Sequence, residues 1–425
     1  MTDLRASSLA GRLHCRCGTC RPVRTLRTGL DRDLAARIAA EAGDRPVAVI
    51  GDPNTLAACG AGLASALNAR GGSAAVLDTG HLHADQDAVD RLTPTLGPGC
   101  LPVAIGSGTL NDVVKAAAHS LRIPYVAVAT AASMNGYTSA IAAITVEGLK
   151  RTLPSTPPVA VYADPDVLAA APPGMAVSGI ADLLSKPVSG ADWKLSHILW
   201  GDPYCPAPSE MAESAVAAAA ARPGDSGILF DALLVSGFSM ACAGSSSPAS
   251  GGEHLISHYL DMTAASEPGG PREPALHGEQ VGVATATTTR LYRQVLGSAP
   301  DWRRATSLAA DPDGVRQALD TVPWIPERLR ALFLEESLAK LGRTGTARER
   351  IGRIEECWSR LGEELAGDLR TAERYRSVLA TIGAPCTPED LGVSRERYTE
   401  ACRLARWVRD RYSILDLAGD LGMDR

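Results

Sequence analysis

The chain has 425 residues, too many for one ordinary core and enough for two domains. Hydrophobic residues make up 45% and charged residues 21%, with aromatics at only 4%, so globular cores of Ala, Val, Leu and Ile are expected. A net charge of -6 and an isoelectric point near 5.8 exclude the basic face that a nucleic-acid partner requires.

Met1–Leu13 lacks the apolar core of a secretory signal, and no uninterrupted run of about 18 apolar residues offers a membrane span. A cytoplasmic protein is therefore expected. Most of the ten cysteines stand singly in apolar patterns, as reduced thiols acting as small hydrophobes do. The exception is His14-Cys15-Arg16-Cys17-Gly18-Thr19-Cys20. Structural zinc sites usually draw on two separated ligand pairs, and here a second pair is missing. Residues 1–23 read as an exposed N-terminal segment.

From there strand and helix alternate. Short apolar runs at Pro46–Gly51, Ser73–Asp78, Leu101–Ile105, Ile123–Ala129 and Val159–Ala163 predict buried strands. Helices are predicted over Asn54–Arg70 and from Leu110 to Leu121. This alternation implies right-handed βαβ units and a parallel sheet, giving an α/β domain over 24–172. Beyond Pro172-Pro173 strand-like runs nearly vanish. Helical patterns follow at Gly174–Lys186, Asp192–Trp200, Met211–Arg222, Gly227–Cys242, Ser250–Ala264, Gln280–Leu296, Pro326–Leu341, Arg348–Glu364, Leu369–Ile382 and Ser394–Arg411. An all-helical domain over 173–425 is expected, with ligands at the carboxyl ends of the strands.

Four runs carry candidate chemistry. Gly106-Ser107-Gly108-Thr109-Leu110-Asn111-Asp112 follows a strand and opens a helix, where glycines and unpaired N–H groups suit a phosphate; a plain βα turn has the same composition. Asp52, directly after another strand, suits a ribose diol, and equally a helix cap. Thr130 to Ser139 is a loop of small hydroxylated residues after a third strand. The fourth is the richest. Ser250 and Glu253 have capping-box spacing, and His254 and His258 then share one helix face. His277 opens another helix, and Asp182 lies within an apolar one, where a carboxylate needs a partner. One Asp and two His form a sensible open site for zinc, nickel or iron(II), although a His pair at this spacing is often only structural.

Taken in order, GTLND (108–112), TAASMNGY (130–137), IADLLSK (180–186), SPASGGEHLISH (247–258) and LHGEQVGVAT (276–285) resemble sn-glycerol-1-phosphate dehydrogenases. The bacterial AraM-type enzymes are most similar, within the iron-containing alcohol dehydrogenase and dehydroquinate synthase superfamily. The likeness runs from about Arg24 to the C-terminus, including Tyr412–Leu417. It implies a Rossmann-like NAD-binding domain, a helical metal- and substrate-binding domain, a small-molecule substrate and a homodimer or larger assembly. It implies Asp182, His254 and His277 as ligands of one divalent metal. It implies NAD or NADP contacts from Asp52, Gly106, Gly108, Thr109, Leu110, Asn111, Asp112, Thr130, Ala131, Ala132, Ser133 and Ser139. Asp182 and His258 would act in catalysis, with Asn135, Lys186 and Ser247 beside the substrate.

Two positions depart from the family pattern. Asn135 stands where Asp is usual, and Ser247 where Arg, the preferred fork for phosphate, is usual. These leave open a related dehydrogenase with a different substrate, or a nucleotide-binding protein without activity. A sugar-phosphate cyclase is a third reading, disfavoured by Asp182 and by few pocket cations.

Overall fold

The computed structural model describes residues 15, 17, 20, 26–97, 99–147, 149–268 and 274–423. The chain packs as two compact units, with divisions after Leu183, Ser209 and Ser246. The helical pattern begins at Pro173 as the sequence suggests, but the helix Pro173–Leu184 up to Leu183 and residues 210–246 belong with the sheet. Packing and local periodicity thus divide the chain at different places.

Among the described residues the sheet unit holds eight strands: β1 (Arg27–Leu30), β2 (Val47–Gly51), β3 (Ala74–Asp78), β4 (Leu101–Gly106), β5 (Val126–Ala129), β6 (Ile141–Val146), β7 (Leu149–Pro154) and β8 (Ala160–Ala163). Six of them form one sheet in the order β1-β8-β5-β4-β2-β3, and every pairing in it is parallel. The expected parallel α/β sheet is present. Val49, Ile50, Val103, Ile105 and Val126 are wholly buried. Each contributes about 1.5–3 kcal/mol of burial. That two-sided burial is why β2, β4 and β5 read as continuous apolar runs. β6 and β7 form a separate antiparallel hairpin. Neither this hairpin nor β1 was expected, because β1 (RTGL) and β7 (LKRTLP) are polar and lack the apolar run.

The chain leaves β2 for β3 on one side, then crosses back to β4 on the other. The carboxyl ends of β2 and β4 therefore flank a switch point, where open α/β sheets bind ligands.

The second unit is helical. Its core sets Val188, Leu195, Ile198 and Leu199 of helix Lys186–Trp200 against Ile351, Ile354, Leu361 and Leu365. The latter four recur at helical spacing on one face of Ala347–Thr381. This helix is a single 35-residue element. The sequence reading split it near Gly367, but an isolated helical glycine costs only about 1 kcal/mol and does not end a helix packed along its length. One described helix, Ser226–Ala243, is long and apolar enough to cross a membrane, and most of it is buried in the fold.

Candidate metal and nucleotide sites

A cleft of about 890 Å³ opens at the switch point of the sheet unit, within the usual range of about 300–1,000 Å³ for ligand sites. Asp52, Asn54 and Thr55 line it after β2, Ser107, Thr109 and Leu110 after β4, and Thr130 and Ala131 after β5. His81, Asp166 and Met175 complete parts of the wall. The sequence reading did not name these three. The helix Gly108–Leu121 begins without a side-chain cap, so its first N–H groups are available to an anion. A Cβ at Gly108 would meet nothing nearer than Met134 at 4.0 Å. Packing does not demand glycine there; close approach of a ligand would. Asp52 lines the cleft and accepts the Thr55 N–H at 2.8 Å in a capping box, so the helix-cap alternative is present locally.

Other residues expected at the nucleotide turn away from the cleft. Asn111 is buried and accepts a hydrogen bond from the Tyr125 hydroxyl at 3.3 Å. Asp112 accepts the Ala143 N–H at 3.1 Å and lies 3.6 Å from the Lys115 ammonium. Lys115 donates to Gly136 O, Ser139 Oγ and Ile141 O. Burial pushes the Asp112 carboxyl up and the Lys115 ammonium down, and each charge opposes the shift of the other. Asn111, Asp112 and Ser139 thus shape the loop from behind. Gly106 receives hydrogen bonds at its carbonyl from Thr130 N–H and the Tyr137 hydroxyl. Ala132 packs against Gly179. Ser133 is half-buried in the same loop. Asn135 donates to Ser236 Oγ at 3.2 Å.

Asp182 lies in the last turn of Pro173–Leu184, where the chain enters the helical unit, and is 3% exposed. His254 is in the first turn of Gly252–Thr263, and His277 opens His277–Leu296. The His254, His258 and His277 rings cluster, with centroids 5.2 Å apart for His254–His277 and 5.7 Å for His258–His277.

Hydrogen bonding sets the tautomers of both imidazoles. His254 Nδ1–H donates to Glu253 Oε1 at 2.6 Å. Burial raises the Glu253 carboxyl, but the bonds from His254, Ser189 and Gly251 N–H outweigh it and hold the group below its usual range. It is therefore an acceptor. Gln280 Nε2 donates to Asp261 and to Ala275 O, so Gln280 Oε1 accepts from the Ser257 hydroxyl. Ser257 has one proton, so it accepts from His277 Nδ1–H at 3.0 Å. Both rings present Nε2 as the lone-pair nitrogen, the form a metal requires.

The expected Ser250 cap is absent: the N-cap residue is Gly251, and Glu253 accepts its N–H. Asp192 anchors this turn, accepting from Gly252 N–H at 2.6 Å, Ile414 N–H at 2.7 Å and Tyr292 OH at 2.6 Å. Burial, with the Glu253 charge adding, pushes the Asp192 carboxyl up to about 7. Arg411 donates to Ser250 O. Lys186 is buried, and its ammonium holds Ala249 O at 2.9 Å, beside Ser247 in the turn Ser247–Ala249. Glu253, Asp192, Ser257 and Gln280 were missed as supports. Only Glu253 left a local trace, as a capping partner.

Residues 25–172 match the family model of iron-containing alcohol dehydrogenase. A glycerol-1-phosphate dehydrogenase [NAD(P)+] of Bacillus licheniformis is 33% identical, over 96% of this chain and 92% of its own. The Bacillus subtilis enzyme of that name is 32% identical, over 88% and 85%. The NADH-dependent butanol dehydrogenase A of Thermotoga maritima shares the fold, with a TM-score of 0.57 at 14% identity over 94% of this chain and 96% of its own. The chain belongs to the glycerol-1-phosphate dehydrogenase family of the iron-containing alcohol dehydrogenases.

Proposed function

We propose that the chain reduces a small ketone phosphate with NAD(P)H and a divalent metal, with dihydroxyacetone phosphate going to sn-glycerol 1-phosphate as the leading reaction. The observation that carries this reading is the His254 and His277 pair, with ring centroids 5.2 Å apart and both imidazoles presenting Nε2; the family resemblance adds Asp182 as the third ligand. One carboxylate and two imidazoles fit zinc first, and nickel or iron(II) next, with a coordination position left for substrate. When bound, the ion supplies Lewis acidity at the substrate carbonyl.

The chain's own residues do the rest. The uncapped helix start at Gly108, with Thr109, Leu110, Thr130 and Ala131, holds the dinucleotide, and Asp52 holds its adenosine ribose. The ketone carbon receives the hydride of NAD(P)H, and its oxygen receives a proton held by His258. Lys186 supports the substrate side by fixing the Ser247–Ala249 turn, and Asn135 faces the same task from its loop. Neutral Asn135 and Ser247 make the substrate's phosphate the feature to vary. The resemblance favours a homodimer or larger assembly, which light scattering after size exclusion tests.

The decisive assay follows NADH oxidation with dihydroxyacetone phosphate and other small ketones in the presence of zinc or nickel. His254→Ala should lose this site's metal and turnover together; retained turnover without that metal overturns the reading. Product formation without net NADH change would instead identify a cyclase.

A further inference from the structure

We propose that His81 decides whether the nucleotide cleft accepts a 2′-phosphate, and so sets the use of NADPH against NADH; this rests on the reading above that the cleft holds a dinucleotide with its adenosine ribose at Asp52. The residues lining the cleft all belong to the sheet unit. β2 and β3 run side by side there, with Gly51 in register with Asp78. Asp52 follows the first strand directly, and His81 stands three residues past the end of the second. The loop that carries His81 is tied back to the end of β2. Thr79 N–H donates to Gly51 O at 3.0 Å, and the Thr79 hydroxyl donates to the same oxygen at 3.2 Å. Asp78 Oδ1 accepts the Gly80 N–H at 2.8 Å, and Gly80 has a φ of 63°, which favours glycine. The chain turns there, and His81 joins the cleft wall.

The charges of the cleft single out this residue. NADPH differs from NADH by one phosphate, and a phosphate monoester carries about −1.5 to −2 charge at pH 7. Asp52 Oδ1 is committed to the Thr55 N–H, so Oδ2 is the oxygen offered to a ribose. That carboxylate suits the 2′-hydroxyl of NADH and repels the 2′-phosphate of NADPH. A cleft that takes both needs a cation close to Asp52. Among the described residues that line it there is no Lys and no Arg, and His81 is the one side chain able to carry positive charge. Arg32 stands at Asp166, which it holds with hydrogen bonds of 2.7 and 2.8 Å. Asp166 follows β8, and β8 is three strands from β2 in the sheet. At the spacing of neighbouring strands that is about 14 Å. His81 follows the strand next to β2, which puts it on the Asp52 side. An imidazole donates to a phosphate oxygen, and its protonated form makes that bond charge-assisted.

The test titrates the full chain with NADH and with NADPH by fluorescence. It then competes each with adenosine 5′-phosphate and adenosine 2′,5′-bisphosphate, which differ by the 2′-phosphate alone. His81 is exposed, so its replacement should leave the fold intact. His81→Ala should lower NADPH affinity relative to NADH by about 10–100-fold, as loss of one charge-assisted hydrogen bond does. The bisphosphate should weaken relative to the monophosphate by a similar factor. His81→Arg should return both ratios to the wild-type value or above it, because a guanidinium forks onto phosphate. An unchanged ratio in His81→Ala overturns the proposal, whether both dinucleotides bind as before or both weaken together. A fall as large in Arg32→Ala overturns it too, as does a wild type that binds NADH and rejects NADPH. In each of those cases the cofactor reading survives and His81 alone is removed. A wild type that binds neither dinucleotide overturns the cofactor reading itself, and the proposal with it.

Discussion

Replacing Gly237 with alanine sets two effects of opposite sign against each other. Gly237 lies inside the helix Ser226–Ala243, where alanine is favoured over glycine by about 1 kcal/mol. A Cβ at this position, however, would fall well under 3.0 Å from the Asn135 carbonyl oxygen and from Thr138 Oγ1. The helix and the turn Gly136–Thr138 would have to separate. Overpacking of this kind costs about 1–3 kcal/mol. Separation also loosens the bonds from Thr138 Oγ1 to Leu234 O at 2.7 Å and from Asn135 to Ser236 at 3.2 Å, worth about 1 kcal/mol each. The net expectation is a loss of about 1–4 kcal/mol, or a fall in Tm of roughly 5–10 °C for a central value in a unit of this size. Calorimetry measures the transition, and quenching of NADH fluorescence measures cofactor affinity. Affinity should weaken too, because the displaced turn continues the loop carrying Thr130 and Ala131. A variant as stable as wild type, or more stable by the helix-propensity gain, would refute the close approach and with it the account of how this loop is held.

Glu253→Gln should weaken divalent-metal affinity by about 10–100-fold, as loss of an orienting carboxylate does; competition with a chelating dye measures this, and unchanged affinity removes Glu253 from that role. Asp192 governs a pH dependence. Its folded-state value, raised to about 7 from the ordinary 3.8, means that the folded state binds the proton more tightly. Its contribution is complete below the unfolded value and is lost as pH rises through the folded one, at about 1.4 kcal/mol per pH unit between them. Asp192→Asn should flatten this slope in Tm measured across that window; an unaltered slope contradicts the assignment. Asp52→Ala should cost about 1 kcal/mol through the lost helix cap and relax the preference for NADH over NADPH; an unchanged cofactor ratio with the stability loss alone would leave Asp52 a cap and nothing more.

The parallel sheet could be read directly from the chain, because strands buried on both faces must be apolar throughout: VAVIG and LPVAIG allow no other placement. The glycine turn after β4 was equally legible; Asp182, His254 and His277 were singled out as candidate ligands by the family resemblance, since each alone is a polar residue in an ordinary helical pattern. β1 and β7 were not, because their hydrogen-bond partners, rather than their own largely polar side chains, make them strands. Within the candidate sites, residue type showed what each group could do, but not which way it turned. Asn111, Asp112 and Ser139 sit in the expected loops yet face Tyr125 and Lys115. The imidazole tautomers depend on Glu253 and on the Gln280–Ser257 relay, and the relay spans two helices. Composition and periodicity are local properties of a chain; the direction of a hydrogen bond arises only when separate segments pack against one another.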